Sequence, residues 1–118
     1  MRSVHSFKEI YLYRGKVDFR KSIDGLAALV QAEMGLDIFQ PALFVFVSRT
    51  RDRIKALCWD RTGFALWFKR LEKDSFPWPK GWEQEVLRIS PQELEWLLEG
   101  FDIFSIKPHE SLTFSALT

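Results

Sequence analysis

A single cysteine, Cys58, occurs in the 118 residues of this sequence, so a disulfide within the chain is excluded and a reducing compartment is expected. The formal net charge is only +1, so no overall electrostatic field indicates a nucleic-acid or membrane partner. No stretch approaches the roughly eighteen apolar residues of a membrane span. The N-terminal residues lack the apolar run of a signal peptide. These absences predict a cytoplasmic protein with no membrane partner.

Large apolar side chains are, by contrast, abundant. The sequence has 11 Phe and 5 Trp, and 47% of its residues are hydrophobic, a composition that argues against intrinsic disorder. Its length suits one hydrophobic core rather than two. We therefore expect a single domain over residues 1–104 and a loosely ordered C-terminal tail over residues 105–118.

The charges are segregated along the chain. Between Arg49 and Lys73 there are eight basic and three acidic residues, and between Glu83 and Glu110 there are seven acidic and two basic ones. The protein is therefore neutral by cancellation, and the sequence predicts one basic and one acidic region on its surface.

Two amphipathic helices are predicted from apolar spacing and from end signals. Residues 22–34 carry apolar side chains at helical intervals, with Ser22 as the N-cap and a glycine as the stop. Residues 91–99 follow a stronger start signal, because Ser90 and Glu93 have the spacing of a capping box.

Short apolar and aromatic runs predict the strands. They cover residues 9–13, 17–19, 43–47, 53–59, 64–71 and 86–89, and the first two flank a predicted turn at residues 14–16. Short connections between the three central runs favour antiparallel hairpins. We therefore predict an α+β fold: a single domain with an antiparallel sheet of about five strands and the two helices packed on it. The alternative is a sheet that curls into a partial barrel.

The basic residues are the best candidates for a binding site. Lysine and arginine neutralise phosphates and release counterions, which drives DNA binding without sequence preference. Trp59 or Trp67, if exposed beside them, would stack on the bases of a single strand. The candidate DNA-binding residues are Arg20, Lys21, Arg49, Arg51, Arg53, Lys55, Arg61, Lys69 and Arg70. The alternative is that these residues form solvated strand faces and loops whose charges are locally paired.

Arg20 and Lys21 directly precede the first predicted helix. Their charges would add to the free backbone N–H groups of a helix N-terminus, an arrangement that favours anions. The alternative, which the neighbouring acids favour, is that Asp18 and Asp24 pair with these bases and complement the helix dipole.

No catalytic, metal or cofactor site is predicted. The carboxylates of Asp18, Asp24, Asp52 and Asp60 stand beside basic residues, so charge pairing explains them without a metal. The two histidines lie near the ends of the chain, and Cys58 has no histidine base in its strand. We expect Cys58 to behave as a small apolar residue of the core.

Trp96 lies on the flank of the leucine stripe in the second predicted helix. If exposed, it would anchor a protein partner, since tryptophan is enriched at interface hot spots. The alternative is that it belongs to the solvated face of an ordinary packing helix.

Three blocks of the sequence, in order, resemble one protein family. They are DFRKSIDGL (Asp18–Leu26), the block Leu43–Pro79, and the stretch LRIS followed by QELEWLLEG that ends at Gly100. Together they resemble the accessory proteins (TnpB, Orf2-like) of IS-66-type bacterial insertion sequences, over residues 10–104. The resemblance implies a non-catalytic protein that serves DNA transposition.

Two functions remain open on this basis. The first is DNA binding through the basic region. The second is that of a protein–protein adaptor, which binds the element-encoded transposase or another accessory protein and does not contact DNA. Salt dependence discriminates them, because phosphate binding weakens steeply with salt and a packed apolar interface does not. The sequence does not indicate an oligomeric state.

Overall fold

The computed structural model describes residues 3–80 and 83–105. The strands are β1 (Glu9–Val17), β2 (Ala42–Ser48), β3 (Arg53–Asp60), β4 (Gly63–Arg70) and β5 (Val86–Ile89). The helices are α1 (Ile23–Leu29), which continues as a π-helix over Val30–Met34, and α2 (Pro91–Leu98), and a short 3-10 helix (Val4–Ser6) precedes β1. None of these helices is long and apolar enough to cross a membrane. The tail predicted over residues 105–118 lies outside the described residues except for Ser105.

The strands form one mixed sheet in the order β4-β3-β2-β1-β5. The antiparallel β2-β3-β4 meander and the strand predicted over residues 86–89, which is β5, are confirmed. The prediction of an all-antiparallel sheet is wrong at one pair, because β1 and β2 are parallel. Parallel neighbours need a long crossover, and α1 supplies it here. The sheet does not close into a barrel: among the described residues β4 and β5 are its edges.

β1 is one long strand rather than two strands around a turn. Its register against β2 shifts between Leu12 and Lys16, which is the signature of a bulge. Gly15 lies within this irregular stretch, and a Cβ built there would be 2.6 Å from the Cε2 atom of Tyr13. The glycine therefore permits the ring of Tyr13 to pack against the strand backbone, and it does not mark a turn.

The sheet is covered on both sides, so every residue of β2 is buried, as the apolar run predicted. The α1 face of the sheet packs against α1 and the π-helix; its buried residues include Leu26, Val30, Phe44, Phe46 and Leu57. The α2 face packs against α2 and the segment that follows β4; its buried residues include Val45, Ile54, Cys58, Phe76, Trp78, Leu94 and Leu97. The expected core position of Cys58 is confirmed.

The helix ends follow the sequence signals closely. In α2 the Ser90 hydroxyl accepts from the Glu93 N–H at 3.0 Å, and the Glu93 carboxylate accepts from the Ser90 N–H at 2.7 Å. This capping box stabilises the helix by about 1 kcal/mol. Ser22 occupies the N-cap position of α1, but its side chain makes no capping hydrogen bond. Gly35 ends the first helical segment in a left-handed conformation (φ +66°), as expected.

Candidate nucleic-acid interface

The C-terminal ends of β1 and β2 lie side by side, at the end of the sheet that we call its carboxyl edge. Val17, the last residue of β1, is the register partner of Ser48, the last residue of β2. Because the strands are parallel, the segments that leave them, residues 18–22 and 49–52, start from the same edge. In open sheets with helical crossovers, ligands bind at this carboxyl edge of the strands.

The turn between β2 and β3 is fixed by hydrogen bonds to Ser48 and Asp52. The buried Ser48 hydroxyl accepts from the Arg53 N–H at 3.1 Å and donates to the Asp52 carboxylate at 3.2 Å. The Thr50 hydroxyl also donates to this carboxylate, and together with Arg53 it lowers the pKa of Asp52. These bonds hold the turn in one conformation, in which Arg49 is exposed.

Asp18 and Arg20 form an ion pair in the segment between β1 and α1. The guanidinium donates to the carboxylate from Nε at 2.9 Å and from Nη2 at 2.5 Å, and the Arg20 N–H adds a bond at 3.0 Å. These hydrogen bonds hold the pKa of Asp18 well below its usual range and raise the pKa of Arg20. The local pairing of Asp18 with a neighbouring base is therefore present, as the alternative reading of this segment expected.

Lys55 fixes the same segment from β3. Its ammonium donates to the backbone carbonyls of Phe19 at 3.0 Å and Lys21 at 2.9 Å. Partial burial, together with the nearby charge of Arg53, lowers the pKa of Lys55. These bonds hold the segment between β1 and α1 against the α1 face of the sheet.

Two adjoining cavities lie between this segment, the π-helix and the β2–β3 turn. Their volumes are about 490 and 260 Å³, and Val17, Asp18 and Arg49 line both of them. The charged residues that line them are Lys16, Arg20, Lys21, Arg49 and Arg53, which are basic, and Asp18 and Glu33, which are acidic. We call this region, with a net charge of +3 among its lining residues, the basic cleft.

Four of the nine candidate DNA-binding residues line the basic cleft: Arg20, Lys21, Arg49 and Arg53. Lys16 also lines it, and it is not among the nine residues predicted from the sequence. In the sequence, Lys16 lies outside the basic region Arg49–Lys73 and is separate from the pair Arg20 and Lys21. Only the parallel pairing of β1 with β2 brings it to the edge that these segments form.

The other five candidates do not line the basic cleft. Lys55 holds the segment before α1, as described. Arg51 lies in the β2–β3 turn with a left-handed backbone (φ +62°), and its carbonyl accepts from the Phe76 N–H at 2.6 Å. Arg70 pairs with Glu72 at 2.8 Å.

Arg61 and Lys69 both lie away from the basic cleft. Arg61 is at the other end of the strands, and Lys69 is on the other face of the sheet. Arg61 lies in the β3–β4 turn, at the opposite end of β3 from Arg53, or about 23 Å along the strand. Lys69 projects to the α2 face, where its ammonium donates to the Leu98 carbonyl at 2.8 Å. Successive side chains of a strand point to opposite faces of the sheet, so Lys69 and its neighbour Arg70 lie on different faces.

The tryptophans considered for base stacking are both half-buried. Trp59 packs edge-on against Phe39 and Phe64, with ring centroids 5.1 and 5.0 Å apart. Trp67 packs against the core on the α2 face. Neither residue lines the basic cleft. In residues 3–80 and 83–105 no group of three or more His, Cys, Asp or Glu side chains is placed to hold a metal ion.

The structure thus defines a small α+β protein with one β-α-β unit, whose carboxyl edge carries a basic cleft. The family model for IS66 Orf2-like proteins (TnpB of IS66 elements) matches residues 8–108, and the chain belongs to this family. This membership supports an accessory role associated with transposition.

Two relatives come from Sinorhizobium fredii (strain NBRC 101917 / NGR234). The chain is 35% identical to the uncharacterized protein y4jC over 91 residues, which cover 77% of each chain. It is 34% identical to the uncharacterized protein y4hO over 93 residues, which cover 79% of this chain and 80% of the relative. No solved structure matches the chain.

Proposed function

We propose that this protein serves transposition by binding the phosphate backbone of DNA in the basic cleft. One observation carries the proposal: Lys16, Lys21 and Arg49 converge on the cleft, and none of their charged groups has a hydrogen bond or ion pair in the described part of the chain. Unpaired, exposed cations at one site attract a polyanion, whereas paired cations contribute little to its binding.

The acids near the cleft do not cancel this attraction. Asp18 forms its ion pair with Arg20 and interacts only through space with Arg49, and Glu33 is the other acidic group that lines the cleft. Lys16 lies near the end of β1, and Lys21 and Arg49 lie on the segments that leave β1 and β2. The rigid sheet therefore sets the spacing between them, and binding to phosphates requires little ordering of the protein.

The test is the binding of the purified protein to two labelled duplexes, one carrying the end of the insertion sequence and one unrelated, over a series of salt concentrations. We expect binding to both that weakens steeply with salt, because counterions are released from the phosphates. The variant is Arg49→Ala, in the β2–β3 turn. The matched control is Arg61→Ala, in the β3–β4 turn. The proposal fails if the wild-type protein does not bind at low salt, or if both variants bind equally well.

A second candidate function, the adaptor, rests on an exposed aromatic pair beside α2. Trp96 is 41% exposed and Phe101 is 58% exposed, and the Phe101 N–H donates to the Trp96 carbonyl at 3.0 Å. The backbone bond places these two exposed aromatic residues near one another, and large exposed aromatic side chains are typical of protein interfaces. The test is capture of the element-encoded transposase by the purified protein. Trp96→Ala should abolish capture that persists at high salt, and Phe39→Ala, at an exposed aromatic residue away from α2, should not.

A further inference from the structure

The two edges of the sheet differ in how they are protected. β5 has only four residues, and Arg88 within it pairs with Glu9 at 3.5 Å. β4 has eight residues, contains no proline, and pairs with β3 alone among the described strands. Natural edge strands are usually shortened, bulged or charged, because their free N–H and C=O groups otherwise pair with another chain. β4 is long, and its charges are confined to its last two residues.

The free edge also carries apolar side chains that nothing in the described chain covers fully. On the α1 face of β4, Phe68 is 50% exposed and Phe64 and Leu66 are half-buried. Phe64 belongs to an aromatic cluster, with its ring centroid 5.0 Å from that of Trp59 and 6.0 Å from that of Phe39. Exposed apolar side chains in a row, beside a strand edge that no described strand pairs with, are typical of interaction surfaces.

We propose that β4 pairs antiparallel with β4 of a second copy of this chain, around a two-fold axis at Leu66. In this register Leu66 faces Leu66 of the second copy, and Phe64 faces Phe68 of the second copy. Facing side chains in antiparallel strands lie about 5 Å apart, so the exposed Phe68 ring would extend the aromatic cluster of the other copy. The two sheets would join into one.

The residue pattern of β4 selects a second copy as the occupant. The strand is apolar from Phe64 to Phe68 and basic at Lys69 and Arg70. Antiparallel pairing about Leu66 sets these two cations against the uncharged residues Gly63 and Thr62 of the other copy. Like charges opposite one another would destabilise the pair, and this register has none within the strand.

The contact is small, so the dimer should be reversible. Standard specific interfaces bury at least about 1,200 Å² in total, and one pair of eight-residue strands offers little more contact than its own edge. We therefore expect a monomer–dimer equilibrium with a dissociation constant in the micromolar range. This association is separate from DNA binding and does not depend on it.

The test is sedimentation equilibrium of the full chain, without DNA, over a wide range of protein concentrations. The wild-type protein should show a dimer that dissociates on dilution. Phe68→Glu should raise the dissociation constant by at least about tenfold, since it places a charge in the apolar interface. Phe101→Glu introduces the same charge at an equally exposed phenylalanine away from β4, and it should leave the dimer intact.

A disulfide tests the register without depending on the stability of Phe68→Glu. Leu66→Cys brings two thiols together at the two-fold axis, so mild oxidation should give a covalent dimer on a non-reducing gel. Neither the wild-type protein, whose Cys58 is buried, nor Phe101→Cys should be cross-linked. A wild-type protein that stays monomeric at all concentrations overturns the proposal. So does a dimer that Phe68→Glu leaves unchanged, or a Leu66→Cys protein that is not cross-linked.

Discussion

The ammonium of Lys55 lies 4.9 Å from the ring centroid of Phe19 and donates to the backbone carbonyl of the same residue at 3.0 Å. A second bond reaches the Lys21 carbonyl at 2.9 Å. A residue that the sequence marks as a candidate for DNA contact thus ties β3 to the segment that leads into α1. The basic cleft depends on this tie, because the same segment carries Lys21.

We expect Lys55→Met to destabilise the protein by about 2 kcal/mol, since the variant loses two hydrogen bonds from a charged donor and leaves two carbonyls without that donor. Urea unfolding followed by circular dichroism measures this change. Lys16→Met is the matched control, because Lys16 is exposed and its ammonium makes no hydrogen bond or ion pair in the described part of the chain. Equal stability of the two variants would contradict a structural role for Lys55.

Asp18→Asn should increase the affinity for DNA more than a substitution elsewhere that changes the net charge by the same amount. Removal of the carboxylate releases the Arg20 guanidinium from its ion pair and adds one cation to the cleft. The slope of log K against log salt should steepen by about one unit. The control Glu99→Gln changes the net charge equally on the other side of the sheet. Binding by Asp18→Asn that is unchanged or weaker would show that Arg20 does not face the DNA.

The same ion pair predicts a pH dependence of stability. The folded-state pKa of Asp18 lies below its unfolded value of about 4, because the carboxylate accepts hydrogen bonds from Arg20. The stabilisation from this group is therefore fully present above that unfolded value and is lost as pH falls through the lower, folded-state pKa. Unfolding of wild type and of Asp18→Asn should differ at neutral pH and converge in strong acid. A difference that is constant with pH would contradict this assignment.

The local elements of the fold could be predicted, since their signals lie in consecutive residues. The apolar run of β2, the capping box of α2 and the short turns of the meander each depend on a few neighbours. The parallel pairing of β1 with β2 could not be predicted in this way. It depends on where α1 returns the chain, which is a property of packing across the whole sheet.

The candidate site was predictable to a similar degree. The sequence identified Arg20, Lys21, Arg49 and Arg53 as basic residues, but it could not bring them together. It gave no signal for Lys16, because only the parallel pairing of β1 with β2 brings this residue beside Arg49. Alternation within β4 already indicated that Lys69 and Arg70 point to opposite faces, and only the position of α2 shows what Lys69 contacts.

Lys69→Met should affect stability and leave DNA binding unchanged. The ammonium of Lys69 donates to the Leu98 carbonyl in the last turn of α2, where a cation also complements the helix dipole. We expect a loss of about 1 kcal/mol in the free energy of unfolding. The salt-dependent affinity for DNA, measured on the folded variant, should match that of the wild type. A marked loss of affinity would place DNA on the α2 face instead.

Two double variants test whether DNA phosphates bind in the basic cleft. Lys21→Ala/Arg49→Ala removes two cations from the cleft, and Lys8→Ala/Arg61→Ala removes two exposed cations from the opposite end of the sheet. The measurement is the slope of log K against log salt for duplex binding by each. We predict that the slope falls by about two units in the cleft variant and stays at the wild-type value in the control. Equal slopes for the two variants would contradict the binding of DNA phosphates in the basic cleft.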